Sequence, residues 1–128
     1  MGRILLIDDD RGFTRFLGDY IAEQYPLLKV EICNNPMIAL HSIKTGGYDL
    51  MLIDLEMPAM DGLKLLKFAV DTGMDKNRIV ILSGRDADFL HGLFPMGTCL
   101  AVLNKFEARQ KAVLDMIFNS LNMKAGVV

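Results

Sequence analysis

Short apolar runs alternate with helical segments along the chain. Five runs have the length of a β-strand and cover residues 4–7, 30–33, 50–53, 79–82 and 99–103. Between them the apolar residues recur at helical spacing, and capping or helix-breaking residues mark the ends. These segments predict helices over residues 11–24 and 36–45, from 61 onwards, over 86–94, and from about 107. The repeats predict a parallel sheet covered on both faces, because each crossover helix must return over the sheet in the right-handed sense.

The size of the chain fits a single three-layer α/β domain. Its 128 residues lie within the usual ~100–200 residues of one domain, and 52% of them are apolar, which is enough for a real core. We expect the domain to span residues 1–124, followed by a loose tail over residues 125–128. The sequence contains no repeat, low-complexity segment or linker that would indicate a second domain.

The charge and the apolar pattern narrow the function classes. Fourteen Lys and Arg against 16 Asp and Glu give a net charge of −2, and the basic residues do not cluster. Direct binding to nucleic acid or to an anionic membrane therefore lacks electrostatic support. No apolar stretch approaches the ~20 residues of a membrane span, and no targeting segment is visible. Cys33 and Cys99 lie in apolar runs without CxxC spacing, which favours buried thiols in a reducing cytoplasm.

The residues that follow the strands carry the candidate chemistry. Carboxylates, one hydroxyl and one amine come directly after four of the five predicted strands: Asp8, Asp9, Asp10, Asp54, Glu56, Ser83 and Lys105. In a doubly wound sheet, groups past the carboxyl ends of the strands meet at one edge. Two carboxylates about 4 Å apart repel by ~4 kcal/mol at an effective dielectric of ~20, so the cluster needs a cation. Oxygen ligands of this kind suit Mg²⁺ with a phosphate oxygen, which indicates phosphoryl transfer.

At these residues the chain resembles the receiver domain of two-component response regulators. The most specific stretches are residues 46–50, Gly-Gly-Tyr-Asp-Leu, which lead into Asp54, and residues 57–62, Met-Pro-Ala-Met-Asp-Gly. Asp8 and Asp9 after an aliphatic strand, Ser83 and Lys105 support the match. The resemblance extends from residue 4 to about residue 121. It implies a flavodoxin-like fold with strand order 2-1-3-4-5 and five helices.

The resemblance also implies roles for the acidic residues. Asp54 is the expected phosphoacceptor. Asp8, Asp9 and Asp54 are expected to hold Mg²⁺, with Asp9 as a direct ligand and the backbone carbonyl of Glu56 completing the shell. Asp10 has no family role, and we interpret it as the cap or first turn of the first helix.

The remaining expectations concern the phosphoryl group and the partners. Ser83 is expected to hydrogen-bond to the phosphoryl group and Lys105 to pair with it. The donor would be a phosphohistidine of a sensor histidine kinase or phosphotransfer protein, and the output a changed surface for a downstream domain or protein. A homodimer through the fourth helix, fifth strand and fifth helix is a further expectation. The chain would be a cytoplasmic signalling domain that catalyses its own phosphorylation and dephosphorylation, not a separate enzyme.

Four positions depart from the family pattern. Phe106 follows Lys105 where the family usually has proline, so we predict a trans bond there, because a cis non-proline bond costs ~3–4 kcal/mol. Val102 stands three residues before the lysine, where the family usually has Tyr or Phe, so the familiar aromatic rotamer switch cannot operate. The hydroxyl is Ser83 and not the commoner threonine, and Gly84 in place of alanine leaves more room around the phosphoryl group.

Two charged residues flank the expected site and suggest a modulator of dephosphorylation. Glu56 lies two residues after Asp54, and Arg85 lies two residues after Ser83. Their opposite charges could pair across the mouth of the site and obstruct the attacking water. Exposed ion pairs contribute only ~0–1 kcal/mol, so two separately solvated side chains are an equally good interpretation.

Two other functions use part of the same layout. A phosphatase of the haloacid dehalogenase type has an Asp-x-Asp after its first strand, and residues 7–10 contain one, which would make Asp8 the nucleophile. Such enzymes need a further acidic pair after the lysine, whereas only Glu107 and Asp115 follow here. A receiver-like interaction module that works without phosphorylation is the other alternative.

Overall fold

A five-stranded parallel sheet forms the centre of the molecule, in the order β2-β1-β3-β4-β5. The computed structural model describes residues 2–95 and 97–126. The strands are β1 Gly2–Ile7, β2 Leu28–Cys33, β3 Leu50–Asp54, β4 Ile79–Ser83 and β5 Ala101–Asn104. The observed order confirms the predicted doubly wound, flavodoxin-like sheet.

Five helices connect and cover the strands: α1 Arg11–Gln24, α2 Pro36–Thr45, α3 Gly62–Asp71, α4 Ala87–Leu93 and α5 Ala108–Ala125. The bounds of α1 and α2 agree with the predicted ones because side chains cap both helices. Asp10 accepts from the backbone N–H of Phe13 at 3.0 Å, which confirms its interpretation as a cap. Helix α5 continues to Ala125, and residues 127 and 128 of the predicted tail lie outside the described residues.

The sheet separates two apolar cores. Alternate residues of the central strands point to opposite faces, and β1, β3 and β4 are buried on both. On one face Leu5 and Ile53 pack with residues of α2, α3 and α4. On the other face Leu6 and Leu52 pack with residues of α1 and α5, including the fully buried Phe118. The result is the predicted three-layer domain.

One strand begins later than its apolar run predicts. The run starts at Cys99, whereas β5 starts at Ala101. The chain is still turning after Gly97, which has a φ of 91°, and the N–H of Leu100 reaches the carbonyls of both Ile79 and Lys76. Regular ladder pairing with β4 therefore begins at Ala101.

Across the residues that the structure describes, no helix has the length and apolarity needed to cross a membrane.

Candidate phosphorylation site

Parallel pairing brings the predicted chemical groups to one edge of the sheet. Ile7 pairs with Ile53 across β1 and β3, so Asp8 and Asp54 follow side by side. Strand β4 ends at Ser83, which pairs with Asn104 immediately before Lys105. Asp8, Asp54, Ser83 and Lys105 therefore lie at the same edge of the sheet, as the sequence predicts.

The ammonium group of Lys105 lies between two buried carboxylates. Its Nζ is 2.5 Å from Oδ2 of Asp8 and 3.1 Å from Oδ1 of Asp54. Asp8 is fully buried, Asp54 is 3% exposed, and the Lys105 side chain is 8% exposed. With both acids ionised, one positive charge faces two negative ones, and the pocket keeps a net negative charge.

The burial and the neighbouring charges shift the protonation of both partners. Burial and the charge of Asp8 raise the pKa of Asp54 to about 6, although Lys105 and the N–H of Glu56 oppose the shift. Burial lowers the pKa of Lys105, but its contacts with Asp8 and Asp54 more than offset this, and the net shift is upward. Because the pKa of Asp54 is higher in the folded chain than in the unfolded chain, this group stabilises the folded state at low pH. That contribution is lost as the pH rises from the usual carboxyl pKa through about 6. At neutral pH Asp54 is therefore mostly ionised, and its ionisation lowers the stability of the folded chain.

Three carboxylates at this edge lie close enough together to hold a metal ion. Asp8, Asp9 and Asp54 each offer an oxygen, and these oxygens lie within 4.8 Å of one another. The buried Oδ2 of Asp8 has no hydrogen-bond partner of ordinary geometry among the described residues and faces Lys105 instead. An all-oxygen donor set in which one ammonium faces more than one carboxylate fits a hard divalent cation such as Mg²⁺.

The hydroxyl of Ser83 is already engaged by an acidic side chain. Its Oγ donates to Oε1 of Glu56 at 2.5 Å and accepts from the backbone N–H of Arg85 at 3.0 Å. Ser83 is fully buried. Because a hydroxyl has one proton to donate, the hydroxyl can donate to a phosphoryl oxygen only after the Glu56 carboxylate has left.

The suggested ion pair between Glu56 and Arg85 is absent among the described residues. The Glu56 carboxylate bonds to Ser83, and the guanidinium of Arg85 stacks on the ring of Phe89 at 3.9 Å from its centroid. Each charged group thus has a nearer partner, which is the physical reason that the predicted contact does not form. A role for either residue in dephosphorylation stays a prediction.

A buried amide that sequence reasoning missed fixes the loop after β5. Oδ1 of Asn104 accepts from the N–H groups of Phe106 and Glu107 at 2.7 and 2.9 Å, and Nδ2 donates to the Arg85 carbonyl at 2.7 Å. The available signal was a lone polar residue at the end of an apolar strand, directly before Lys105.

The bond between Lys105 and Phe106 is trans, as predicted, since the described part of the chain contains no cis peptide.

Comparisons with known proteins give the family and the fold. The family model described as the response regulator receiver domain matches residues 4–98. A protein-glutamate methylesterase/protein-glutamine glutaminase of Desulfotalea psychrophila is 32% identical over 69 residues, which are 54% of this chain and 19% of that protein. The regulatory protein AtoC of Escherichia coli is 37% identical over 67 residues, 52% of this chain and 14% of that protein. The chain thus aligns with less than a fifth of the length of these curated relatives.

Solved structures of the same fold cover nearly the whole chain. The receiver domain of the Francisella response regulator 1452 superposes with a TM-score of 0.74 at 24% identity, over 97% of this chain and 98% of that one. The response regulator TrrA of Thermotoga maritima, solved in complex with Mg²⁺ and BeF, gives a TM-score of 0.77 at 21% identity, over 94% and 99% of the two chains. With the matched family model, the sheet order and the acidic edge in agreement, the chain belongs to the response regulator receiver domains.

Proposed function

We propose that Asp54 accepts a phosphoryl group from a phosphohistidine of a sensor histidine kinase or phosphotransfer protein, and that this changes the surface offered to an output partner. The observation that carries the proposal is the placement of Asp54. Its carboxylate is held at the tip of β3, 3.1 Å from the Lys105 ammonium and beside the carboxylates of Asp8 and Asp9.

The residues of the pocket supply positioning and charge for this reaction. An oxygen of the ionised Asp54 carboxylate attacks phosphorus in line with the leaving group. Lys105 stabilises negative charge on the phosphoryl oxygens from a fixed position, so little reorganisation is needed. Asp8, Asp9, Asp54 and the Glu56 carbonyl would hold Mg²⁺, which when bound neutralises charge on the phosphoryl oxygens. The complex of TrrA with Mg²⁺ and BeF supports this choice of metal.

Phosphorylation of Asp54 would break the hydrogen bond between Ser83 and Glu56. A phosphoryl group on Asp54 brings new acceptor oxygens to the pocket and competes with the Glu56 carboxylate for the Ser83 hydroxyl. Release of Glu56 would change the loop after β3, while Ser83 lies three residues before the cap of α4. The proposed output is therefore a shift between two arrangements of this loop and α4. A dimer through α4, β5 and α5 belongs to the same proposal, as does a cytoplasmic location.

Phosphorylation at Asp54 can be tested directly on the purified chain. We expect Mg²⁺ and acetyl phosphate to add one phosphoryl mass, and peptide mapping to place it on Asp54. The Asp54→Asn variant should show no added mass, because its amide oxygen is a poor nucleophile. A phosphoryl group mapped to Asp8 would instead support a phosphatase of the haloacid dehalogenase type. If neither the wild-type chain nor the Asp54→Asn variant gains a phosphoryl group, the result would support the interaction module that works without phosphorylation.

Magnesium should stabilise the folded chain through the three carboxylates. At a Mg²⁺ concentration of ten times Kd, mass action predicts about 1.4 kcal/mol of added unfolding free energy. Urea unfolding followed by circular dichroism, with Mg²⁺ and then with EDTA, measures the difference. Asp9→Asn should abolish most of it, whereas Asp19→Asn, which changes an exposed acid on α1, should not. Equal stabilisation of all three proteins would contradict the assignment.

A further inference from the structure

Two phenylalanine rings contact each other at the carboxyl edge of the sheet. The rings of Phe13 on α1 and Phe106 after β5 contact edge to face, with centroids 6.5 Å apart and planes at 76°. The Lys105 ammonium lies 4.7 Å from the centroid of the Phe13 ring. On its other side the Phe106 ring lies against Gly84, where an added Cβ would be 3.6 Å from Cε2. The Phe106 ring therefore lies between Gly84, which follows Ser83, and Phe13, whose ring contacts the Lys105 ammonium.

The ring of Phe106 is exposed although its backbone is fixed. Its side chain is among the most open of the large apolar residues, with 74% of the surface of the residue exposed. The N–H of Phe106 is held by the buried Asn104, whose amide is in turn bound to the Arg85 carbonyl. An exposed aromatic ring on a fixed backbone contributes little to the core, but it offers a preorganised surface to a ligand.

We propose that Phe106, supported by Phe13, forms a stacking surface for the imidazole ring of the phosphodonor and so makes the site selective for phosphohistidine over acyl phosphates. The inference rests on the proposed function, since it concerns the donor of the same phosphoryl group. An imidazole joined to phosphorus must lie within a few ångströms of the acceptor when the phosphoryl group is transferred. The exposed ring of Phe106, which lies against the residue that follows Ser83, offers such a planar group a face or edge on which to stack.

The stacking acts on the leaving group of the reaction. An Asp54 carboxylate oxygen forms a bond to phosphorus, the bond between phosphorus and the ring nitrogen breaks, and its electron pair stays on that nitrogen. A proton on the other ring nitrogen makes the departing group a neutral imidazole. Before the bond between phosphorus and nitrogen breaks, this protonated ring is cationic and is attracted to the face of an aromatic neighbour. The leaving group of acetyl phosphate is acetate, which has no ring that could stack on Phe106.

Two small donors separate this contribution from protein docking. We would measure the rate constants for phosphorylation of the whole chain by phosphoimidazole and by acetyl phosphate, with Mg²⁺ present. Phe106→Ala and Phe106→Leu should slow the reaction with phosphoimidazole by roughly 3- to 10-fold, the range expected for one aromatic contact. The rate with acetyl phosphate should change less than about twofold, since that donor makes no such contact. Phe106→Tyr should keep the wild-type preference, because it retains the ring.

The matched control is Phe16→Ala, which removes another exposed phenylalanine ring, on α1 and 64% exposed, and should not change the rate with either donor. An equal loss with both donors would assign Phe106 a general role in holding Lys105 and overturn the proposal. No loss with either donor would also overturn it, as would a change confined to the rate of dephosphorylation. Failure of the wild-type chain to accept phosphate from acetyl phosphate at Asp54 would instead refute the proposed function itself.

Discussion

Replacing Lys105 with methionine is expected to lower the free energy of unfolding by about 3 kcal/mol at pH 8 without Mg²⁺, near the lower end of the ~3–5 kcal/mol found when a buried ion pair loses one partner. The ammonium lies 2.5 Å from Asp8 and 3.1 Å from Asp54, both almost fully buried. Without it, two buried carboxylates face each other unscreened. The pKa of Asp54, already raised to about 6, would rise further, because the opposing effect of the Lys105 charge is removed.

The pH dependence distinguishes charge repulsion from a simple loss of packing. Asp54 binds a proton as the pH falls, so the destabilisation of Lys105→Met should be much smaller at pH 5 than at pH 8. Urea unfolding followed by circular dichroism measures it, since the chain has no tryptophan. Lys111→Met is the matched control, because Lys111 also lies 4.7 Å from an aromatic ring but is exposed. Equal destabilisation at the two pH values would contradict the electrostatic account.

The same variant should be severely impaired in phosphorylation. Loss of one preorganised group that stabilises charge in a transition state costs roughly 10²- to 10³-fold in rate. The initial rate of mass increase with acetyl phosphate, measured at pH 7 and saturating Mg²⁺, tests this on folded protein. A rate within about threefold of wild type would show that Lys105 contributes little to the transition state.

Replacing Gly62 with alanine should have an effect of similar size, for a steric reason. Gly62 begins α3 and donates its N–H to the Leu55 carbonyl at 2.8 Å, so the helix end lies against the strand that carries Asp54. An added Cβ would lie 2.8 Å from the Leu55 Cα and 2.9 Å from the Asp54 carbonyl carbon. These are backbone atoms and cannot rotate away. We expect a loss of about 3 kcal/mol, the upper part of the range for overpacking.

The displacement of the Asp54 backbone should also be visible in the chemistry. A shift of ~1 Å in a reacting group can cost ~10²-fold in rate, so Gly62→Ala should phosphorylate slowly even under conditions where it is folded. Gly92→Ala is the control, because Gly92 lies inside α4 and, apart from its chain neighbours and the backbone of its own helix, no atom of the described residues is within 4 Å of its added Cβ. That change should leave the rate unaltered and raise stability slightly, by up to about 1 kcal/mol. Similar behaviour of the two variants would disprove the close approach of α3 to β3.

Local signals explain why much of the fold could be predicted. Helices α1 and α2 have a capping side chain at one end and a Pro or Gly signal at the other, so their bounds could be read from single residues such as Asp10 and Asn35. The convergence of Asp8, Asp54 and Lys105 could also be predicted from the sequence. Parallel strands end at one edge, and residues that directly follow them must meet there.

The contacts within the site could not be predicted in the same way. Glu56 could bind Arg85 or Ser83, and the choice depends on which partner lies within reach once the backbone is fixed. Arg85 could face a carboxylate or an aromatic ring, and it stacks on Phe89. Such choices between partners of similar energy are decided by distances of a few ångströms, which a linear sequence does not contain. The role of Asn104 was hidden for the same reason.

The division of the interior by the sheet gives the carboxyl edge a particular position in the molecule. The two helical layers pack in separate cores on opposite faces of the sheet, so the cores make contact only through the strands between them. At the edge, however, Lys105 faces Phe13 in one layer, while the loop after Ser83 reaches Phe89 in the other. A charged group attached to Asp54 that draws both Lys105 and Ser83 toward itself would therefore act on both helical layers at once. A single covalent modification could then alter the surface on opposite sides of the protein.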